Sequence, residues 1–469
     1  MKRIALCFDG TWQSVDDPVS VSNVVRVAQA IKAVATGDVE QITYYQAGVG
    51  SDGGIDGFLG GVFGVGLRNN VKRALAFLSL NYTEQDEIYI FGFSRGAYTA
   101  RAVAGVIGAI GGIPMQEHFD KLEDFWNYYR IDPKVRNADT DKACQKKWDI
   151  RNLCLPGVPG EYPKGPGNYP KDLKKAVEDL GNDATRIIKC VGVWDTVGSY
   201  GVPSGYGLDG LARRFTSWTK GFHDQEFGKH AQIGLHALAI DERRRGFPPT
   251  AWRITNTPLD PDQLVEQVWF AGAHSNVGGS YRCSGLSDLA LIWMMARVED
   301  AAGLEFDKDV IQENFWPCAT CSLYNSVPPW MVVSRLFPHR REVLSDRPLG
   351  SRDGSEQKYL NEMVHWSVLE RRGRIGVCDE TRYRPYRPRN LPKDIPKART
   401  AEKTKKEQEF IDACSRTENE RMKGCVMARQ LNEKKRNRRA RRLAKLQASW
   451  PATSLIRLRG GSEKGEGSI

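Results

Sequence analysis

Cysteine and long apolar runs are both scarce in this chain of 469 residues. Its ten cysteines are unevenly spaced, which argues against a secreted disulfide framework and favours a reducing compartment. The longest uncharged apolar stretches, residues 58–67 and 102–115, are shorter than the roughly 20 residues of a membrane-spanning helix. The apolar start ends at Asp9, too early for a signal-peptide core. We therefore expect synthesis in the cytoplasm, with signal-independent export or peripheral membrane association left open.

The body of the chain also lacks a net charge. Residues 391–469 hold 21 Lys+Arg and 10 Asp+Glu, which accounts for the whole net charge of +11. Within them, residues 434–445 carry eight basic side chains and no acidic one. This segment predicts either contact with an acidic membrane surface or nucleic acid, or a solvated tail with no dedicated partner. The oligomeric state leaves no trace in the sequence.

Strand-like and helix-like patterns alternate along most of the chain. Strands are predicted at residues 3–8, 41–45, 88–93, 186–194 and 264–271. Helices are predicted at residues 23–34, 66–80, 95–110, 231–240 and 286–302. This alternation is typical of βαβ units, so we predict an α/β fold with a mostly parallel sheet and helices on both faces. The glycine-rich stretch 48–66 lacks the GxxxxGK[ST] motif of a phosphate loop and is interpreted as a flexible loop.

Composition divides the chain into three parts. Residues 1–380 are assigned to the α/β domain, with an insertion at about 115–185 that we interpret as a lid or pocket. Residues 381–400 form a proline-rich linker. The basic tail at 401–469 is expected to be helical at first and disordered at its end.

A candidate nucleophile lies in residues 88–97, which read IYIFGFSRGA. The motif Gly92-x-Ser94-x-Gly96 stands between a buried-type strand and a helix rich in small residues. This context is required by a nucleophile elbow, in which the serine hydroxyl stands exposed at the edge of the sheet. The alternative is a tight turn with a helix-capping serine.

A serine nucleophile needs a base, and the base needs a carboxylate to orient it. Asp195 follows the predicted strand at 186–194, and His274 follows the one at 264–271. The chain order Ser94, Asp195, His274 is that of α/β-hydrolases. Other residues compete for these roles: His236 and His365 for the base, and Asp241 and Asp288 for the carboxylate. His236 falls in a predicted helix, which favours a structural role.

An oxyanion hole should combine the main-chain N–H of Arg95 with donors from the loop after the first strand, at Gly10 and Thr11. Asp9 beside them is expected to hydrogen-bond the turn, with metal coordination as the alternative. No metal or organic cofactor is required by this chemistry.

Several ordered motifs resemble one family. They are FDGT, GLRNNVKRALAFL, IYIFGFSRGAYTARAVAG, VGVWDTVGSYG, HALAIDERRRGFPP, QVWFAGAHSNVGGSY and HWSVLERR. Together, over about residues 1–373, they are similar to an α/β-hydrolase family that includes phospholipase effectors of type VI secretion. The resemblance implies an α/β-hydrolase sheet, a triad of Ser94, Asp195 and His274, and ester hydrolysis on phospholipids. The basic tail is not part of the shared pattern.

Residues and resemblance together predict a serine esterase of acyl lipids. One alternative is a hydrolase-fold binding or regulatory protein that its basic tail attaches to nucleic acid or acidic membrane. Another is a metal-dependent phosphatase using Asp9, Asp195 and His274. Cys318 and Cys321 form a lone CxxC, a weak signal for zinc or redox chemistry. Some aromatic residues are candidates for an acyl pocket or for the core: Trp316, Trp330 and Phe337.

Overall fold

The structure is a computed structural model of the chain. It describes residues 1–10, 21–48, 60–156, 163–165, 167–182, 186–197, 227–244, 247–253, 258–327, 339–344, 349–350, 356–357, 359–378 and 382–414. The basic segment at 434–445 lies outside these residues, as do the end of the predicted tail and most of the glycine-rich stretch.

The strands alternate with helices along the chain, as predicted. The strands are β1 (Arg3–Phe8), β2 (Val34–Ala35), β3 (Val39–Gln46), β4 (Glu87–Phe93), β5 (Ile113–Pro114), β6 (Cys154–Leu155), β7 (Ile188–Trp194), β8 (Ala231–Ala239), β9 (Leu264–Phe270), β10 (Leu349–Gly350), β11 (Glu356–Gln357), β12 (Glu362–His365), β13 (Ile375–Cys378), β14 (Arg382–Pro385) and β15 (Thr400–Ala401). The helices are α1 (Asn23–Ala30), α2 (Gly60–Asn81), α3 (Arg95–Ile110), α4 (Leu122–Tyr129), α5 (Pro133–Arg136), α6 (Asp141–Arg151), α7 (Leu173–Asn182), α8 (His274–Gly278), α9 (Gly285–Ala302), α10 (Lys308–Asn314), α11 (Trp366–Arg371) and α12 (Lys405–Ala413).

Nine of these strands form one sheet in the order β15-β12-β9-β8-β7-β4-β1-β3-β2. All neighbours in it pair in parallel except β2 and β3. The chain moves outward from β1 to β3 and then resumes at β4 on the other side of β1. Ligands of open α/β sheets bind at such a switch point, outside the carboxyl ends of the strands. The predicted α/β fold with a mostly parallel sheet is confirmed.

Alternate residues of each strand point to opposite sides of the sheet, and helices cover both faces. In β1, Ile4, Leu6 and Phe8 pack in one core with α2 and α3, whereas Ala5 and Cys7 pack in the other with α1 and α9. The sheet is therefore held between two helical layers, and its carboxyl edge stays available for a site.

The prediction of a helix at residues 231–240 is wrong. These residues form β8, which lies between β7 and β9 in the middle of the sheet. The run AQIGLHALA is buried on both faces of the sheet, so it lacks the alternation of polar and apolar residues that marks a half-exposed strand. Its length and its alanines then favour a helix.

The predicted division of the chain differs from the structure near its C-terminal part. Within residues 381–400, β14 pairs antiparallel with β13, since proline is tolerated in a two-stranded ribbon with open edges. Thr400 and Ala401 pair with β12 and extend the main sheet. Phe410 of α12 is buried in the core beside α9. Residues 400–414 thus belong to the sheet domain, and apolar burial rather than charge decides their place.

The insertion at about 115–185 packs against the layer of α2 and α3. Phe125 of α4 and Ile150 of α6 join that core, and Trp148 packs with Val177 of α7. Among the described helices, none is both long and apolar enough to cross a membrane.

Candidate active site

Ser94 sits in a strained turn between β4 and α3. Its φ and ψ are 57° and −118°, a region that residues with a side chain rarely adopt. Small neighbours permit the turn: a Cβ on Gly92 would lie 2.5 Å from the carbonyl oxygen of Gly96, and one on Gly96 would lie 2.1 Å from that of Phe8. The Ser94 hydroxyl makes no capping bond to α3. The turn has the geometry of a nucleophile elbow.

The other two predicted residues also follow strands of the same sheet edge. Asp195 comes directly after β7 and His274 opens α8, just beyond β9. The helix that carries His274 packs closely on the elbow, because a Cβ on Gly278 would lie 2.0 Å from the ring of Phe93. That ring lies 4.6 Å from the imidazole of His274, centroid to centroid.

Three side chains meet in series. The Ser94 hydroxyl lies 2.8 Å from Nε2 of His274, and Nδ1 of His274 lies 2.6 Å from Oδ2 of Asp195. Asp195 is fully buried, whereas Ser94 and His274 are 8% and 5% exposed. A hydroxyl, an imidazole and a carboxylate in this order can serve as nucleophile, base and orienting group.

A buried arginine holds the carboxylate, and the sequence reasoning missed it. Nη1 and Nη2 of Arg341 contact Oδ1 and Oδ2 of Asp195 at 2.5 and 3.0 Å. The same guanidinium donates to the carbonyl oxygens of Ala239 and Phe247, at 2.9 and 2.8 Å. The N–H of Ala239 adds a bond to Oδ1 of Asp195. This forked contact fixes the plane of the carboxylate.

Burial and neighbouring charges set the protonation of the three groups. Burial alone would raise the pKa of Asp195, but Arg341 and His274 outweigh it and hold that pKa well below its ordinary value. Burial lowers the pKa of His274, and the partly opposing effect of Asp195 does not cancel this. His274 is therefore neutral at neutral pH and able to accept a proton.

A second ion pair supports the loop that carries His274. Glu242 is buried and accepts bonds from Arg244 at 2.9 Å and from the hydroxyl of Ser326 at 2.9 Å. Its other oxygen accepts from the N–H of His274 at 3.3 Å. Burial raises the pKa of Glu242, but Arg244 outweighs that effect and lowers it to about 2. The site thus keeps its carboxylates ionised and paired.

A comparison with known families decides the kinship of this chain. The family model described as T6SS, phospholipase effector Tle1-like, catalytic domain matches residues 2–297, more than half of the chain. The chain belongs to this family. The resemblance seen in the sequence motifs is confirmed.

Individual relatives match this Tle1-like chain only in part. An uncharacterized protein of Saccharomyces cerevisiae is 36% identical over an alignment of 125 residues, and the match covers 24% of this chain and 18% of that protein. The crystal structure of an uncharacterized protein from Pseudomonas aeruginosa aligns with a TM-score of 0.34 and 19% identity, over 65% of this chain and 46% of that one. The structure of the Tle1 effector bound to the VgrG spike from the type 6 secretion system aligns with a TM-score of 0.25 and 18% identity, over 60% of this chain and 51% of that one. The Tle1-like chain spans about half or less of the length of each of these relatives.

The predicted oxyanion donors are only partly assembled in the Tle1-like domain. Arg95 opens α3, so its N–H lies at the positive end of that helix. Gly10 packs beside Ser94, where an added Cβ would lie 3.4 Å from Cβ of Ser94. Its N–H donates to Oδ1 of Asp9 at 2.7 Å and is engaged there. Thr11 lies outside the described residues.

Asp9 is a buried hydrogen-bond acceptor at the end of β1. Its Oδ1 accepts from the N–H of Gly10, and its Oδ2 accepts from the hydroxyls of Ser22 and Tyr45, at 2.8 and 2.9 Å. Burial raises the pKa of Asp9 to about 6. These bonds agree with the expectation that Asp9 ties the turn together, and in the described part of the chain no group of three or more His, Cys, Asp or Glu could hold a metal ion.

The competing histidines and carboxylates have other partners. His236 lies in β8, with Nε2 accepting from the N–H of Thr196 and Nδ1 facing Gln267. The remaining three have these contacts: His365 with Glu407, Asp241 with Tyr386, and Asp288 with Arg26. Each therefore links elements of the fold away from the Ser94 hydroxyl.

The last sequence candidates fall outside the triad. Cys318 is buried with its Sγ 3.6 Å from the hydroxyl of Thr320, whereas Cys321 is in a disulfide that does not include Cys318. The main-chain N–H of Trp316 donates to Asp288 in the first turn of α9, so Trp316 lies beside the start of that helix. Trp330 and Phe337 lie outside the described residues.

Proposed function

We propose that the chain is a serine esterase that cleaves the carboxylic esters of phospholipids through Ser94, His274 and Asp195. The observation that carries the proposal is the continuous contact from the Ser94 hydroxyl through both nitrogens of His274 to Asp195, at 2.8 and 2.6 Å. The Tle1-like family supports a lipid substrate.

In the first half of the reaction, the Ser94 oxygen attacks the ester carbonyl carbon while Nε2 of His274 takes its proton. The carbonyl electron pair moves onto oxygen, and that oxygen accepts a hydrogen bond from the main-chain N–H of Arg95 at the start of α3. His274 then gives its proton to the leaving alcohol oxygen. The C–O bond breaks, and the acyl group remains on Ser94.

In the second half, water replaces the alcohol. The water oxygen attacks the acyl carbon while His274 takes a proton from that water. His274 then gives the proton to the Ser94 oxygen as the bond between the acyl carbon and Ser94 breaks. The free acid leaves and the enzyme is restored. Asp195, held by Arg341, keeps Nδ1–H of His274 pointed at itself and stabilises the imidazolium formed in each half.

The basic segment at 434–445 is proposed to face either acidic lipid or nucleic acid. A lipid surface agrees with the substrate, since each Lys or Arg near an acidic membrane contributes about 1 kcal/mol.

Purified protein incubated with phospholipids, lysophospholipids and short-chain esters tests the esterase proposal. Ser94→Ala is expected to lower turnover about 10⁴-fold or more and to abolish covalent labelling by a fluorophosphonate. Ser79→Ala, at a buried serine of α2, is the matched control and should keep both. Full hydrolysis by Ser94→Ala would disprove the mechanism.

A further inference from the structure

A second concave region lies beside α3, away from the triad. The cavity has a volume of about 780 Å³ and is lined by Gly108 near the end of α3, Ile188 at the start of β7 and Ala231 at the start of β8. Gly108 follows Ser94 by 14 residues, about 21 Å along a helix that rises 1.5 Å per residue. The cavity therefore opens toward the amino edge of the sheet, opposite the catalytic edge.

The described lining of this cavity is strongly basic. It contains one carboxylate, Asp132, which caps α5 by accepting from the N–H of Lys134 at 2.8 Å. Its basic residues are Arg101, Lys134, Arg136, Lys147, Arg151, Lys229, His230 and Arg253. The remainder includes apolar residues such as Ile110, Leu259 and Leu360.

Four of the cations come from the insertion after α3: Lys134, Arg136, Lys147 and Arg151. Lys147 and Arg151 stand four residues apart on α6, where like charges repel. Arg151 packs against the end of α3, with Nη1 2.9 Å from the position of a Cβ on Gly111. Arg136 donates to the carbonyl oxygen of Tyr129 at 2.8 Å. The fold thus brings like charges together.

These groups lower one another's affinity for protons. Burial and then the nearby Arg151 and Arg136 lower the pKa of Lys147. Burial, followed by Arg151 and Lys147, lowers the pKa of His230 to about 4. Like charges in a partly buried cavity are unfavourable until an anion enters.

The end of α3 alone does not balance this charge. A helix terminus carries about half an elementary negative charge and Asp132 carries one more, against four cations from the insertion. A ligand with more than one negative charge fits better than a carboxylate. Arginine forks match the oxygens of phosphate, and lysine adds a point charge.

We propose that this cavity is a binding site for a phosphate group, held by Arg136, Lys147 and Arg151. The volume accommodates an organic group attached to the phosphate, against the apolar wall at Ile110 and Leu259. A lipid headgroup and a soluble phosphate ester share this chemistry. The site does not depend on the esterase mechanism.

Calorimetric titration of the full chain with inorganic phosphate and glycerol 3-phosphate tests the proposal. Saturable binding at millimolar concentration is expected, at least about tenfold weaker in Lys147→Met and in Arg136→Met. Lys146→Met is the matched control, because Lys146 is exposed on the same helix and does not line the cavity. Thermal melting of each variant reports whether it folds.

Two further arms separate the ligand sources. Sedimentation with phosphatidic acid vesicles that excess glycerol 3-phosphate prevents, and that Lys147→Met loses, assigns the site to a lipid headgroup. Binding of glycerol 3-phosphate without any vesicle sedimentation that depends on Lys147 assigns it to a soluble ester. Phosphate should also protect Lys147, but not Lys146, from acetylation by acetic anhydride, read by mass spectrometry. No saturable phosphate binding, or equal binding by folded Lys147→Met and Lys146→Met, would overturn the proposal.

Discussion

The charged side chains at the two edges of the sheet are arranged in opposite ways. At the carboxyl edge, Asp195 meets Arg341 and Glu242 meets Arg244, each within hydrogen-bonding distance. In the cavity at the amino edge, Lys147 and Arg151 stand together with Arg136 nearby. The first region balances its charges with its own side chains, whereas the positive charge of the second is balanced by the phosphate group that we propose it binds.

This difference bears on function. The proposed transfer of one proton between Ser94 and His274 works best when the surroundings of the site are neutral and fixed before substrate arrives. A site that recognises an anion works best when positive charge is gathered beforehand and relieved on binding. The same fold supports both, because the sheet separates the two edges.

The largest effect is expected from making the catalytic edge resemble the cavity. Asp195→Ala leaves Arg341 as a buried cation beside an emptied space, so kcat/KM should fall about 10⁴-fold. Added formate should enter that space, pair with Arg341 and restore part of the activity in a saturable way. Initial rates across a formate titration measure this.

The control for that rescue is Asp195→Asn, which removes the charge but fills the space. Formate should not restore its activity. Activity of Asp195→Ala within tenfold of the natural chain would show that the carboxylate does not support His274.

A smaller change comes from removing the positive partner. Arg341→Met leaves Asp195 buried with an uncompensated charge, which should lower the free energy of unfolding by about 3–5 kcal/mol. It also lets Asp195 stabilise protonated His274 more strongly, so the pKa of His274 rises. Because His274 must be neutral to act as the base, activity is lost as pH falls through that pKa, and the loss should begin at higher pH. Denaturant unfolding and the pH profile of kcat/KM measure both effects.

Two variants frame this result. Arg340→Met, at the exposed neighbouring position, should change neither quantity. Arg341→Lys keeps the charge but loses the fork to the carbonyls of Ala239 and Phe247, so its stability should fall with little shift in the acid limb. An acid limb that does not move in Arg341→Met would show that the guanidinium has no influence on His274.

Local pattern was enough to find much of this site. β1 and α3 have the bounds predicted, and β4 begins one residue early, because buried strands and small-residue helices leave clear signals. Asp195 and His274 were found because each follows an apolar run. Parallel strands place such residues at one edge of the sheet.

The missed features depend on contacts distant in sequence. Arg341 reaches Asp195 across 146 positions, and no local pattern marks such a pair. β8 is buried on both faces, so its period does not show in its sequence. The engaged N–H of Gly10 depends on the rotamer of Asp9, which the sequence does not specify.

The smallest expected effect is a difference in stability between two glycine substitutions, which reports how tightly each edge of the sheet is packed. A Cβ at Gly96 would lie 2.1 Å from the carbonyl oxygen of Phe8, whereas one at Gly228, in the cavity lining, meets nothing within 4 Å. Gly96→Ala should therefore lower the free energy of unfolding by about 1–3 kcal/mol, because backbone must shift, and should slow labelling of Ser94. Gly228→Ala should be neutral or slightly stabilising, since it restricts the unfolded chain. Equal denaturation midpoints for the two variants would mean that the elbow is not pressed against β1, and the strain at Ser94 would then need another cause.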